Sequence, residues 1–157
     1  MIKIGNKILG QNYPCLVIAE ISANHGGNFN RMKRLIKSAK KAGADLIKIQ
    51  SYTADSLTLN SKKKDFIISN SSPWKKNQYF WNLYKKAETP ISWHGKIFNY
   101  AKKIGIGIFS SPFDLSAVDM LEKLKCPAYK IASAEINHIP LLERIAKTKK
   151  PIIFSIG

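Results

Sequence analysis

Three charged side chains stand inside segments that otherwise read as buried strands, and they define the chemistry open to this chain. In residues 15–21 (CLVIAEI) the two-residue alternation of a strand puts Leu16, Ile18 and Glu20 on one face. In residues 44–50 (ADLIKIQ) it does the same for Leu46, Lys48 and Gln50, and in residues 128–133 for Ala128 and Lys130. A charge in a strand covered on both faces costs several kcal/mol unless it is paired or opens onto a polar site. All three charges lie toward the carboxyl ends of their strands. Two lysines on separate strands, with the hydroxyls of Ser110, Ser111 and Ser133 at or near the ends of the neighbouring strands, make a cradle for a phosphate or carboxylate. Two other readings use the same residues: a buried Glu20–lysine ion pair without function, or a lysine that forms a Schiff base with a carbonyl substrate, as in an aldolase.

The elements that would hold these residues alternate regularly. After the first strand comes the loop Ser22-Ala23-Asn24-His25-Gly26-Gly27, then a helix capped by Asn28 with its apolar stripe at Met32, Leu35, Ile36, Ala39 and Ala42, stopped by Gly43. The second strand (44–50) leads into a long insertion, 51–88, in which 79–87 reads as a short helix and which is expected to arch over the strand ends. Thr89-Pro90 opens a helix striped by Trp93, Ile97, Ala101 and Ile104 and ended by Gly105. The third strand spans 106–111. Asp114 caps a helix with Leu115, Val118, Leu121 and Leu124 on one face, the fourth strand spans 128–133, a short helix spans 140–148, and a fifth strand spans 151–155. Ahead of all this, residues 2–9 read as a hairpin turning at Gly5-Asn6.

Strands separated by helices at this density predict a parallel sheet with crossover helices. No glycine-rich dinucleotide fingerprint follows the first strand, and the tight spacing favours a (β/α)8 barrel. The expected fold is therefore α/β: the N-terminal portion of a (β/α)8 TIM barrel, with about five parallel strands and an N-terminal β-hairpin. A complete barrel takes about 250 residues, so the 157 residues here read as the first part of a longer protein.

Composition narrows the function classes. At 45% hydrophobic the chain is too apolar for a disordered tail. It has neither an apolar run approaching the ~20 residues of a membrane helix nor a signal-peptide pattern. Cys15 and Cys126 lack metal-type spacing, which points away from a zinc or disulfide framework and toward the cytoplasm. The formal charge is +16, yet all but three of the 26 basic residues (Arg31, Arg34, Arg144) are lysines spread along the chain. That spread describes a solvated surface better than a nucleic-acid interface, which concentrates its charge. A basic nucleic-acid-binding module is the non-enzyme alternative, and it leaves Glu20 inside a strand unexplained.

Taken in order, Ile18-Ala19-Glu20, Asn24-His25-Gly26, Gly43-Ala44-Asp45, Lys48-Ile49-Gln50, Ser110-Ser111-Pro112-Phe113-Asp114, Tyr129-Lys130-Ile131-Ala132-Ser133-x-Glu135 and Lys150-Pro151-Ile152-Ile153-Phe154-Ser155-x-Gly157 resemble the sialic acid synthase family. Ser22 through Gly26, with Leu83-Tyr84, Thr89-Pro90 and Trp93-His94, is most similar to the pseudaminic acid synthase branch. The resemblance runs over essentially the whole chain. It implies condensation of phosphoenolpyruvate with an acetamido sugar, giving a nine-carbon 2-keto acid and phosphate. For the pseudaminate branch the sugar is 2,4-diacetamido-2,4,6-trideoxy-L-altrose; N-acetylneuraminate and legionaminate synthases are the neighbouring alternatives.

Carried over by motif, Lys48 and Lys130 would hold the phosphate and carboxylate of phosphoenolpyruvate, with Ser111 and Ser133 donating hydrogen bonds. Glu135 would orient or deprotonate the attacking water, and Glu20 would contact the sugar, with Gln50 a further binding candidate; His25 would either line the site or stabilise its own loop. Ser111 stands where sialate synthases often carry threonine, a change that keeps the hydroxyl. His94 reads as a packing residue and His138 as a loop residue. The resemblance also implies a divalent metal, manganese or magnesium, that polarises the sugar aldehyde. Its ligands would be histidines on later strands outside these residues, so no metal ligand is assigned here. It further implies a C-terminal antifreeze-like domain absent from this chain, a homodimer at full length, and no activity in residues 1–157 alone.

Overall fold

The computed structural model describes residues 1–156. Two short strands, β1 (Ile2–Ile4) and β2 (Lys7–Leu9), pair antiparallel as the expected hairpin, with Gly5 at a φ of 59° that only a glycine adopts without strain. Five parallel strands follow: β3 (Ile18–Glu20), β4 (Leu46–Ser51), β5 (Gly107–Pro112), β6 (Tyr129–Ile131) and β7 (Ile152–Phe154). Their spatial order equals their sequence order. Sequential neighbours all round is the winding of a barrel, because a doubly wound sheet reverses direction at a switch point. The sheet curls into the first five strands of a half-barrel.

The helices are α1 (Phe29–Lys41), α2 (Ala54–Leu57), α3 (Phe80–Ala87), α4 (Ile91–Ile104), α5 (Leu115–Lys123) and α6 (Ile139–Ala146). Helices α1, α4, α5 and α6 lie in the connections between consecutive strands, and local chemistry sets their ends. Asn28 accepts the Arg31 N–H at 2.9 Å and Asp114 accepts the Ala117 N–H at 2.7 Å, each satisfying a donor that the first helical turn leaves free. Gly105 closes α4 at a φ of 70°. Met32 and Ile36 of α1 and Ile97 and Ala101 of α4 pack on Ile47 and Ile49 of β4. Val118 and Leu121 of α5 and Leu141 and Ile145 of α6 pack with Phe109, Tyr129 and Ile131. Leu115, expected on the buried stripe of α5, is instead exposed on its first turn.

Two strands are shorter than their apolar runs. Pairing with β4 reaches back only to Val17, because the Asp45 carboxylate takes the Val17 N–H at 2.9 Å. Beyond Ile131 the chain winds into a 3-10 turn, Ser133–Glu135, which ends β6 early. The insertion holds one helix more than expected. Thr53 and Ser56 form a reciprocal capping box that starts α2, and the Glu88 carboxylate ties its Ala54 N–H at 2.9 Å. Tyr52, at the end of β4, meets Tyr84 and Phe113 edge to face, which anchors the insertion to the strand ends.

One glycine is needed for packing. A Cβ on Gly107 would stand 2.3 Å from Cδ2 of Leu46, a fully buried side chain with no room to retreat. Gly107→Ala is therefore expected to cost about 1–3 kcal/mol by overpacking. Urea unfolding measures it, and an unchanged midpoint would show that β4 and β5 can part freely here.

Candidate active site at the carboxyl ends of the strands

Register lines up the charged residues predicted from the sequence. Glu20 on β3 pairs directly with Lys48 on β4, and the Lys48 ammonium forms an ion pair with Oε2 of Glu20. Gln50 lies opposite Ser111 on β5, and Ser110 opposite Tyr129 on β6, so Lys130 follows next to Ser111 along the rim. Nζ of Lys48 is 3.5 Å from Oγ of Ser111. The row runs Glu20, Lys48, Ser111, Lys130 across four adjacent strands.

Neither ammonium is in an ordinary setting. Burial pulls Lys48 down to about 8, and the nearby Lys130 cation adds to the effect. Burial also lowers Lys130. Two cations on neighbouring strands, one of them disfavoured by the other, gain most from an anion placed between them. Lys130 is held in place by donating to Oγ of Ser155 at 2.6 Å and to the Ile131 carbonyl at 2.7 Å.

Two serines escaped the sequence assignment. Ser22 gives its N–H (2.9 Å) and its hydroxyl (2.7 Å) to Oε1 of Glu20, so the carboxylate is fixed at one oxygen by Ser22 and at the other by Lys48. Ser22 does this from a φ of 42°, a strained conformation for a residue with a side chain. Ser155, on the fifth strand's continuation, anchors Lys130. It belonged to the closing motif Phe154-Ser155-x-Gly157, which was the available signal.

Ser133 and Glu135 open and close the 3-10 turn after β6, just past Lys130. Ser133 is exposed and is not in contact with either lysine among the hydrogen bonds of the described residues. Glu135 is more enclosed, with Oε2 3.5 Å from Nδ1 of His138. Gln50 is half-buried on the face it shares with Lys48.

His25 is fully buried, with its ring edge-on to Trp93. Its Nδ1 accepts the Gly27 N–H at 3.0 Å, so the proton sits on Nε2, which donates to Oγ1 of Thr89 at 3.2 Å. Both nitrogens are used within the chain, and the ring stabilises the loop. His94 is a packing residue, also fully buried. Its Nδ1 lies 3.1 Å from the Pro90 carbonyl, and its Nε2 accepts from Oγ of Ser51 at 2.8 Å.

Burial lowers both histidines from the ordinary 6.5, helped at His25 by Arg31. The unfolded chain therefore binds these protons more tightly than the folded one, and stability drains away as pH falls below about 6.5. The slope for each histidine is at most about 1.4 kcal/mol per pH unit. Chemical denaturation between about pH 7 and 5.5, above the range of most carboxylates, reads it directly. A flat profile there would mean that the rings are protonated in place.

Among the described residues no three His, Cys, Asp or Glu side chains come together as a metal site. Among the described residues no helix is long and apolar enough to cross a membrane. What the rim can do is bind a doubly charged anion between Lys48 and Lys130, orient a polar second substrate against Glu20, and present a carboxylate at Glu135.

Known proteins resemble the chain in sequence and in fold. The chain is 52% identical over 141 residues to a pseudaminic acid synthase of Campylobacter jejuni, covering 90% of this chain and 40% of that protein. To the pseudaminic acid synthase of Helicobacter pylori it is 48% identical over 144 residues, covering 92% of this chain and 42% of that one. The chain thus spans well under half the length of these relatives. The crystal structure of the N-acetylneuraminic acid (sialic acid) synthetase of Leptospira borgpetersenii superposes with a TM-score of 0.81 at 32% identity, over 99% of this chain and 49% of that one. The NeuB family model matches residues 35–157, a stretch that carries Lys48, Ser111, Lys130 and Glu135. With the strand order, the charged rim and that match in agreement, the chain belongs to the NeuB family.

Proposed function

We propose that the chain is the phosphoenolpyruvate-binding part of a pseudaminic acid synthase. In that reaction C3 of phosphoenolpyruvate attacks the open-chain aldehyde of 2,4-diacetamido-2,4,6-trideoxy-L-altrose and forms a C–C bond. Water adds at C2, and the tetrahedral intermediate collapses with C–O cleavage, releasing phosphate. Lys48 and Lys130 hold the phosphate and carboxylate, Ser111 and Ser133 donate to them, Glu135 orients or deprotonates the water, and Glu20 receives the sugar, with Gln50 beside it. The observation that carries this reading is the adjacency of Lys48 and Lys130 around Ser111 at the strand ends.

The working enzyme is placed in the cytoplasm as a homodimer. Its divalent metal, manganese or magnesium, would supply Lewis-acid polarisation of the aldehyde from ligands outside residues 1–156. Residues 1–157 are then the first part of the barrel domain, with the insertion 51–88 over its mouth, and they bind phosphoenolpyruvate without turning it over. Titration calorimetry on the chain tests the binding half: saturable uptake of phosphoenolpyruvate supports it, and none refutes it. Phosphate release by the chain with both substrates would contradict the inactivity.

A panel of acetamido sugars assayed with the full-length protein distinguishes pseudaminate synthesis from N-acetylneuraminate or legionaminate synthesis. The lowering of Lys48 to about 8 also favours a second reading, a Schiff-base lysine. The Glu20 ion pair opposes it by favouring the ammonium. Borohydride trapping of a carbonyl substrate on Lys48 would decide for it.

A further inference from the structure

At the opposite end of the sheet from Lys48 and Lys130 lies a cavity of about 890 Å³, open to solvent between the hairpin turn and the ends of α1, α4 and α5. Its rim carries Lys7, Lys40, Lys102, Lys123 and Lys125, and its one acidic residue is Asp45. That carboxylate is already engaged, by Lys7 at 2.7 Å and by the Val17 N–H at 2.9 Å. Lys40 donates to the Ile104 carbonyl at the end of α4. Among the described residues Lys102, Lys123 and Lys125 have no carboxylate within ion-pair distance and no side-chain hydrogen bond.

The bland explanation is that these lysines offset helix dipoles, since three helices end here. Each carboxyl end is worth about half a negative charge, so the three together supply roughly −1.5. Five ammonium groups against one carboxylate leave +4, well beyond what the dipoles absorb. A positive surplus of about 2.5 charges remains, set in a concavity rather than spread over a convex surface. Lys125 adds an independent sign: it holds a φ of 56°, a left-handed position that glycine occupies at lower cost. The floor of the cavity is apolar at Phe98, Ile106 and Pro127.

We propose that this cavity is a second anion site, separate from the strand-end rim, that binds a small polyanion bearing adjacent phosphate groups. Such a ligand matches the surplus charge in number and the concavity in size, whereas a long polyanion would need a basic track leading out of it. The proposal does not depend on the reaction at the other end of the strands.

The test removes the rim first. In a Lys48→Gln/Lys130→Gln background, titration calorimetry with pyrophosphate is expected to show one saturable site. Adding Lys102→Gln and Lys125→Gln should weaken it about tenfold. Both lysines are exposed, so the fold is retained; Lys123→Gln, with a smaller loss, serves as the independent check. Adenosine triphosphate is the second arm. Binding about equal to pyrophosphate assigns the site to the phosphates alone, and binding about tenfold tighter assigns it to a nucleotide resting on the apolar floor. No saturation up to about 10 mM pyrophosphate, or binding that the Lys102 and Lys125 substitutions leave unchanged, overturns the proposal.

Discussion

Lys48→Gln is expected to weaken phosphoenolpyruvate binding about a hundredfold. The ammonium is largely enclosed, with its side chain 16% exposed, so its attraction for an anion is only partly screened. Truncating one partner of a buried, hydrogen-bonded charge pair costs about 2–5 kcal/mol, and 2.8 kcal/mol is a factor of about one hundred. Lys130 rests on Ser155 and the Ile131 carbonyl and does not depend on Lys48 for its position, so residual affinity survives. The wild-type affinity should also fall as pH rises through about 8, by about tenfold per unit, because the free protein then loses the ammonium that the anion needs.

The same residue makes the loss separable from unfolding. Below about 8 the folded chain carries a buried cation whose proton the unfolded chain would hold more tightly, up to its ordinary 10.5. The sign of that linkage is destabilising, so Lys48→Met should raise the denaturation midpoint while it weakens binding as Lys48→Gln does. Calorimetry and urea unfolding on the two variants give both quantities. Loss of stability with binding unchanged would show that Lys48 is a structural ion-pair partner of Glu20 and not an anion ligand.

The rim was legible because a charge in an apolar strand is expensive and therefore informative. Alternation within the strands placed Glu20, Lys48 and Lys130 on their faces, and parallel pairing in chain order did the rest. The glycine stop at Gly105 and the caps at Asn28 and Asp114 were equally readable, since they depend on neighbours a few residues away. What depended on distant partners was not readable. His25 sits in a motif rich in polar residues, and its burial is decided by Thr89 and Trp93, more than sixty residues on. Ser22 reaches both its bonds to Glu20 only through a positive φ, which a serine gives no reason to expect. The early end of β6 follows from the turn at Ser133–Glu135, where the sequence read on as apolar strand. Glu135 closes that turn.

Glu135→Gln separates the proposed water-directed role from binding. In the full-length synthase it is expected to lower kcat by about a thousandfold, within the 10²–10⁴ that a positioned general base contributes. Glutamine keeps the shape and one acceptor oxygen but cannot take the proton of the water attacking C2. Phosphoenolpyruvate affinity should hold, because the proposed phosphate and carboxylate ligands, Lys48 and Lys130, are untouched. Glu135→Asp keeps the base and shortens its reach by one methylene, so it should recover part of the rate. If Glu135→Gln instead raised KM with kcat unchanged, the residue would be binding substrate uniformly, and the water would have to be activated by another group.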